Sequence, residues 1–221
     1  MAYKMKKCII LANGRPPRKN AIKFLRNRGY DTLICADGGA NHAHILGLVP
    51  EYVVGDLDSI YESTKVFLKN KSKIIQIKRQ NDTDVEKCLK FAIKRKATEI
   101  VLLGVTGDRL DHTICNLGIV IKFFDKIKIK VIAENSLLIP YSGNTEIKTK
   151  KGEIVSLYAF DSKTKILSKG LKYPLKNISL PFGEKESTSN VATGEKVKLK
   201  IRGGIIFVIR DFKTARQNDF I

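Results

Sequence analysis

The chain has 221 residues, 43% of them apolar, and 41 Lys and Arg against 22 Asp and Glu, a formal net charge of +19. That length supports one large core or two modest ones, and the charge makes nucleic acid or an acidic membrane surface the first partners to weigh. The basic residues are spread along the chain without the stripe of a nucleic-acid site, no apolar run nears the ~20 residues of a membrane span, and neither partner is expected.

The start, Met1 to Lys7, lacks the apolar stretch of a signal peptide, so the expected location is cytoplasmic. Between residues 8 and 133, short apolar runs alternate with longer segments of helical period, the pattern of strands and crossover helices in a parallel sheet. Strands are predicted over 8–11, 32–36, 52–54, 73–77, 99–103 and 128–133. Helices are predicted around three apolar sets: Ala21, Ile22, Phe24 and Leu25; Val85, Cys88, Leu89, Ala92 and Ile93; Ile114, Leu117, Ile119, Ile121 and Phe124. A doubly wound, mainly parallel α/β domain over 1–138 is the expected result.

After about Leu138 the helical segments vanish, and alternating runs punctuated by Gly, Asn, Ser and Pro predict an all-β domain over 139–221. Ser142-Gly143-Asn144 reads as the linker region. The clearest strand alternates Lys196, Lys198, Lys200 and Arg202 with Val197, Leu199 and Ile201, and Gly203-Gly204 then reads as the turn of a hairpin into 205–209. Cys8, Cys35, Cys88 and Cys115 have no Cys-x-x-Cys spacing and read as small buried apolar residues.

Four acid-bearing clusters each follow an apolar run: Asp37-Gly38-Gly39, Gly55-Asp56-Leu57-Asp58-Ser59, Asp82-Thr83-Asp84, and Gly107-Asp108-Arg109-Leu110-Asp111-His112. In open α/β sheets ligands sit beyond the carboxyl ends of the strands, so these clusters are expected to converge there, with Asn13-Gly14 on the same rim. Asp56 and Asp58 can reach one hard cation if the backbone between them is turned or extended, and Asp84 would add a third carboxylate. A metal-bound polyphosphate is the chemistry that needs this in so basic a chain. Local alternatives exist for several of these residues: Asp58 or Ser59, Asp82 and Asp111 can each cap a helix, and His112 can be oriented by Asp111. Asp37-Gly38-Gly39-Ala40-Asn41 lets a ligand approach the backbone, while the common dinucleotide and phosphate-loop glycine motifs are absent.

Taken together and in order, these blocks resemble the thiamine pyrophosphokinase family. The resemblance rests on Asp37 to Asn41, Gly55 to Ser59, Thr83-Asp84, Gly104 to His112, and, in the second half, Gly170-Leu171-Lys172-Tyr173-Pro174-Leu175 and Ser187-Thr188-Ser189-Asn190. It implies transfer of the diphosphate of ATP to the hydroxyl of thiamine. It also implies a C-terminal β-sandwich, and a homodimer whose active sites lie between the α/β domain of one subunit and the β domain of the other. By the same resemblance Asp56, Asp58 and Asp84 are catalytic and bind Mg2+. Asn13, Asp37, Gly38, Gly39, Asn41, Arg109, Asp111 and His112 contact ATP, and Gln80, Tyr173, Ser189 and Asn190 contact thiamine. Asn81 stands where the family usually has a further carboxylate, and Tyr173 supplies the aromatic face in a chain without Trp. Two other readings are a diphosphokinase for a different hydroxymethyl heterocycle, such as a pterin, and a basic RNA-binding protein on an inactive scaffold.

Overall fold

A computed structural model describes residues 5–79, 81–107 and 109–220; Gln80 and Asp108 lie outside the described residues. The chain forms two compact units, Met1–Glu134 and Asn135–Ile221. In the first, the order is β1 (Lys7–Leu11), α1 (Lys19–Arg26), β2 (Thr32–Ala36), α2 (Gly39–Ile45), β3 (Tyr52–Gly55), α3 (Glu62–Leu68), β4 (Lys73–Gln76), α4 (Asp84–Lys94), β5 (Glu99–Leu103), α5 (Leu110–Lys122) and β6 (Lys128–Ala133). The strands pair in the order β6-β5-β1-β2-β3-β4, and every pairing is parallel.

The strand sequences explain that order. β2 is buried along its whole length, and β1 and β5 at all but their first residue, so their unbroken apolar runs occupy the middle of a two-sided sheet. β4 has the most exposed pattern and lies at the edge. The chain winds outward from β1 through β4, then returns to place β5 on the other flank of β1. The order therefore reverses between β1 and β5, the position where such sheets open a crevice at their carboxyl ends.

α4 starts at Thr83, whose hydroxyl accepts from the Glu86 backbone N–H at 3.3 Å, rather than at Asp82. Asp82 is instead an ion-pair partner of Lys90 at 2.7 Å. Of the cysteines, Cys8, Cys35 and Cys88 are buried as expected, but Cys115 on α5 is exposed, and so is Ile114 beside it. The helical period placed Ile114 on an apolar face, and Cys115 was read as buried for want of a cysteine motif; within this unit it is Asn116, Ile119 and Val120 that turn inward.

The second unit contains β7 (Ser136–Lys148), β8 (Ile154–Tyr158), β9 (Lys165–Lys169), β10 (Lys176–Ser179), β11 (Ser187–Val191), β12 (Lys196–Asp211) and a short helix, α6 (Phe212–Gln217), which the sequence reading did not foresee. β12 organises it. Its first half pairs with β9 on one side and its second half with β8, while β7 runs antiparallel along the other side. With β10 on β9 and β11 on β8, two antiparallel layers share the bent β7–β12 ribbon around a core that includes Val155, Leu157, Ile166, Val197, Leu199 and Val208.

That arrangement corrects two expectations. Gly203-Gly204 is not a hairpin turn but an interruption within one strand, where the β7 register shifts between Ile201 and Ile206. Gly203 has φ +85°, and a Cβ on Gly204 would sit 2.1 Å from Thr164 Oγ1, so both glycines serve a close crossing. Ser142-Gly143-Asn144 likewise lies inside β7 rather than in a linker. The alternation of 196–202 behaves as read: the basic side chains face out and Val197, Leu199 and Ile201 are buried. Near the end of β12, Arg210 is buried and donates from Nε to Glu153 Oε1 at 2.7 Å and from Nη2 to the Lys148 carbonyl at 2.8 Å.

Candidate active site

The loops after β1 and β5 are zipped together by backbone hydrogen bonds, from Ala12 N to Leu103 O (2.8 Å), Gly14 N to Gly104 O (2.7 Å) and Arg15 N to Thr106 O (2.7 Å). This closeness is what Gly104 provides: at φ +64° its missing Cβ would lie 2.4 Å from the Ala12 carbonyl oxygen. Beside the zipper a cleft of about 340 Å3 opens, lined by Asn13, Asp37, Gly38, Asp84, Arg109 and His112 among others. It stands at the carboxyl ends of β1, β2 and β5, where the crevice was expected.

Asn116, unremarked in the sequence, supports the cleft from α5 by donating Nδ2 to the Val105 carbonyl at 2.8 Å. A polar residue on the buried face of an otherwise apolar helix was the available signal.

The acid clusters converge in a particular way. Asp37, Asp56 and Asp58 each bring one carboxylate oxygen within 4.8 Å of the others. Asp56 and Asp58 do so because the backbone turns between them: Leu57 has φ +74°, a conformation bulky L-residues avoid, and Asp37 itself has φ +44°. Asp37, expected to touch the nucleotide, lines the cleft, and its carboxylate also joins the acid group. Burial pushes its pKa up, and the neighbouring Asp84 and Asp56 charges add to the rise against a hydrogen bond from Ser59. Asp37 Oδ2 accepts from Ser59 N at 3.2 Å, whereas Asp37 Oδ1 and Asp56 Oδ1 are buried with no hydrogen-bond partner among the described residues.

Asn41 holds this loop. Its Nδ2 donates to the Ser59 carbonyl at 2.8 Å and its Oδ1 accepts from Tyr61 N at 3.0 Å, so both ends of the amide serve the backbone rather than the cleft expected for them. Gly39 is also structural, since a Cβ there would lie 2.1 Å from the Leu11 carbonyl oxygen; it lets α2 approach β1. Gly38 does line the cleft.

Asp84 is engaged by a residue the sequence reading passed over. Lys87, only 3% exposed, places Nζ 2.8 Å from Asp84 Oδ1 and 3.5 Å from Asp56 Oδ2. Burial works against its charge, but the hydrogen bond it donates to Asp84 and the two carboxylate charges outweigh this and raise its pKa. The i,i+3 spacing from Asp84 on a helix was the sequence signal. On the opposite rim, the Arg109 guanidinium forks onto Asp111 at 2.9 and 2.5 Å and holds that carboxyl well below the usual range. Asp111 lies inside the first turn of α5 and does not cap it; His112 Nε2 is 4.0 Å from it.

In the second unit Tyr173 and Ser189 are exposed, Tyr173 at 60%. Asn190 is buried: its Nδ2 donates to the Tyr173 carbonyl at 2.7 Å and its Oδ1 accepts from Tyr173 N at 3.1 Å. It braces the Tyr173 backbone from behind, and Ser189, at φ +55°, is turned at the start of the same brace. Gln80 is outside the described residues.

A family model for the thiamin pyrophosphokinase catalytic domain matches residues 26–133, and one for the thiamin pyrophosphokinase vitamin B1 binding domain matches residues 140–206. Thiamin pyrophosphokinase 1 of Caenorhabditis elegans is 31% identical over 174 residues, covering 72% of this chain and 70% of that protein. Among solved structures, thiamin pyrophosphokinase from Candida albicans gives a TM-score of 0.82 at 19% identity, over 94% of this chain and 89% of that one. The Bacillus subtilis thiamine pyrophosphokinase structure gives 0.80 at 24% identity, over 93% and 99%.

Proposed function

The chain belongs to the thiamine pyrophosphokinase family, and from that premise we propose that it transfers the diphosphate of ATP to the hydroxyl of thiamine, giving thiamine diphosphate and AMP. The observation that carries the reading is the meeting of Asp37, Asp56 and Asp58 beside a cleft that also presents Asn13, Gly38 and Arg109. A cleft rich in backbone N–H donors or purely basic would suit a phosphate alone. Three carboxylates suit a phosphate only through a cation.

The residues fit Mg2+. Two buried carboxylate oxygens without a partner are costly, and a hard cation held by oxygen ligands is what satisfies them. Asp37, Asp56 and Asp58 would hold it, with Asp84 on the same cleft and paired to the buried Lys87. When bound, such an ion would supply positive charge that offsets the charge of the phosphates. The chain's own contribution is positioning and charge. The glycine-rich zipper shapes the nucleotide cleft, and the Arg109–Asp111 pair sets a guanidinium on its wall. In the reaction the thiamine oxygen bonds to the β-phosphorus, the bond from that phosphorus to the α,β-bridging oxygen breaks, AMP leaves with the bridging oxygen, and the hydroxyl proton is released.

Tyr173 and Ser189 supply the acceptor side in this proposal, contributed by the partner subunit of a homodimer, with Asn190 fixing the Tyr173 backbone. The cytoplasm is the proposed location, and the free thiols of all four cysteines fit a reducing compartment. Among the described residues no helix is long and apolar enough to cross a membrane.

The test is direct: protein, Mg2+, ATP and thiamine, with products separated. AMP and thiamine diphosphate are expected; ADP with thiamine monophosphate would refute diphosphate transfer. Asp56→Ala is expected to abolish AMP release with the fold intact by circular dichroism, and near-normal turnover would remove Asp56 from its role. Mixing Asp56→Ala with Tyr173→Ala subunits should restore part of the activity if the sites form across a dimer.

A further inference from the structure

Basic residues that are scattered along the sequence are gathered by the strands of the second unit. Along the first half of β12, Lys196, Lys198, Lys200 and Arg202 point away from the core, spaced by about 6.8 Å as alternate residues of one strand. Lys165 and Lys169 of β9 flank them on one side and Lys148 of β7 on the other, and Lys176 of β10 extends the face beyond β9. The stripe runs across strands about 4.8 Å apart, which is why no single stretch of sequence shows it. Glu146 is the one carboxylate on this face among the described residues. It takes Lys196 at 3.5 Å and Lys198 at 3.6 Å, exposed pairs that contribute little.

The register sets like charges directly opposite one another: Lys198 against Lys169, Arg202 against Lys165 and Lys196 against Lys148. Such pairs destabilise a sheet, and a face that served only solubility would interleave acids with them. The repulsion is instead left for something outside the fold to offset. Beside Lys169, Lys198 and Lys200 the face holds a shallow depression of about 410 Å3, lined also by Asn144, Thr145 and Leu167.

Charge and shape select the occupant. A second copy of this face would bring lysine against lysine. A bilayer surface is held by aromatic and apolar anchors as well as by charge, and Leu167 is the one exposed large apolar side chain here among the described residues. A single nucleic-acid strand is gripped by stacking its bases on aromatic rings, and this face has none. A duplex needs only cations against its phosphates. In an RNA duplex the wide, shallow minor groove also shows 2′-hydroxyls, which Asn144 and Thr145 can meet from the depression.

We propose that the outer face of β7, β12, β9 and β10 docks the phosphate backbone of duplex RNA, a binding function additional to diphosphate transfer.

The test is fluorescence anisotropy of a labelled RNA duplex of about 20 base pairs, titrated with protein at rising KCl. Lys165, Lys169, Lys198, Lys200 and Arg202 form a contiguous group on β9 and β12. With about five phosphates neutralised, affinity should fall about 500-fold between about 50 and 200 mM salt. The triple variant Lys169→Gln, Lys198→Gln, Lys200→Gln should bind at least ten-fold more weakly, with circular dichroism to establish its fold. A control, Lys69→Gln, Lys94→Gln, Lys128→Gln, removes the same charge from exposed positions of the α/β unit and should stay within about two-fold of native. Equal weakening in the two variants would mean attraction by net charge alone and would overturn the proposal. So would a native protein that leaves the duplex unbound at about 50 mM salt. The DNA duplex of the same sequence, the single RNA strand, and vesicles of phosphatidylcholine with phosphatidylserine are the competitors; binding to any of them as tight as to duplex RNA overturns the assignment. None of the substituted residues is assigned to ATP, Mg2+ or thiamine and the assay contains no substrate, so its failure leaves diphosphate transfer standing.

Discussion

Asn41→Ala tests whether the acid loop is held from behind. The Asn41 side chain is 5% exposed and makes two hydrogen bonds to the backbone of the segment that follows Asp58, to Ser59 O at 2.8 Å and from Tyr61 N at 3.0 Å. Leaving a buried donor or acceptor unpaired costs about 1–3 kcal/mol. Ser59 and Tyr61 are exposed residues whose backbone groups can recover some water, which places each loss near the lower end and the sum at about 2 kcal/mol. At roughly 2–4 °C per kcal/mol for a chain of this size, the thermal midpoint of the α/β unit should fall by roughly 4–8 °C. The same change should weaken Mn2+ binding, because the left-handed turn at Leu57 depends on its flanks to persist. Asn41→Asp should do no better: it keeps an acceptor for Tyr61, loses the donor to Ser59, and brings a further negative charge towards Asp37. Differential scanning calorimetry with and without Mn2+ reads both effects. A midpoint lowered by less than about 1 °C together with native metal affinity would refute the argument that Asn41 positions Asp56 and Asp58.

Glu86 is buried with Lys122 at 2.7 Å and Lys90 at 2.8 Å, and although burial pushes its carboxyl up, these lysines hold it below the usual value. A lowered folded pKa contributes stability above the unfolded pKa, near 4.5, that is lost as pH falls through the folded value. Glu86→Gln should therefore destabilise more at pH 7 than at pH 3 in urea titrations, and an equal loss at both would contradict the pairing. In the second unit, Arg210→Met should cost about 3–5 kcal/mol by stranding the buried Glu153 carboxylate, while Arg210→Met with Glu153→Leu should recover most of it; chemical denaturation of the single and double variants decides. Gly104→Ala adds a Cβ 2.4 Å from the Ala12 oxygen at a left-handed residue, so a loss of roughly 2–4 kcal/mol and a raised KM for ATP are expected, measured by thermal melts and initial rates.

The α/β unit was legible because its strands are apolar runs with two buried faces, and such runs end where the backbone turns. Thus β2, β5 and β6 fall on the residues that composition alone marks out. The β unit was less so. Gly203-Gly204 and Gly143 look like turns because sequence records a need for small or left-handed residues without recording why, and here the reason is close crossing and bending inside long strands. The same ambiguity ran through the site. Asp37, Asp56 and Asp58 could be picked out as acids at strand ends, yet which oxygens meet depends on the left-handed turns at Asp37 and Leu57, and neither residue type announces one. Asn41 and Asn190 are ligand contacts by the family resemblance, and an amide also offers a donor and an acceptor in one rigid plane, which suits the clamping of a backbone that both perform.

Charge supplies the remaining step. In a chain with 41 Lys and Arg against 22 Asp and Glu, an acid can readily find a cation. Asp82, Glu86, Glu99, Asp111 and Glu153 all do so, whether exposed or buried. Against that background an acid oxygen that is buried and left without a partner carries more information than it would in a neutral protein. Asp37 Oδ1 and Asp56 Oδ1 are such oxygens, and they belong to the residues whose carboxylates converge. The fold spends a buried lysine beside them on Asp84 and, more distantly, on the other oxygen of Asp56. A second lysine in place of the metal would offset only one of the cluster's charges, and its ammonium, with one charge and three N–H donors, cannot gather carboxylate and phosphate oxygens into one shell as a divalent ion does. The pattern of paired and unpaired acids, rather than the number of acids, is thus what supports the proposed metal-dependent reaction on phosphate.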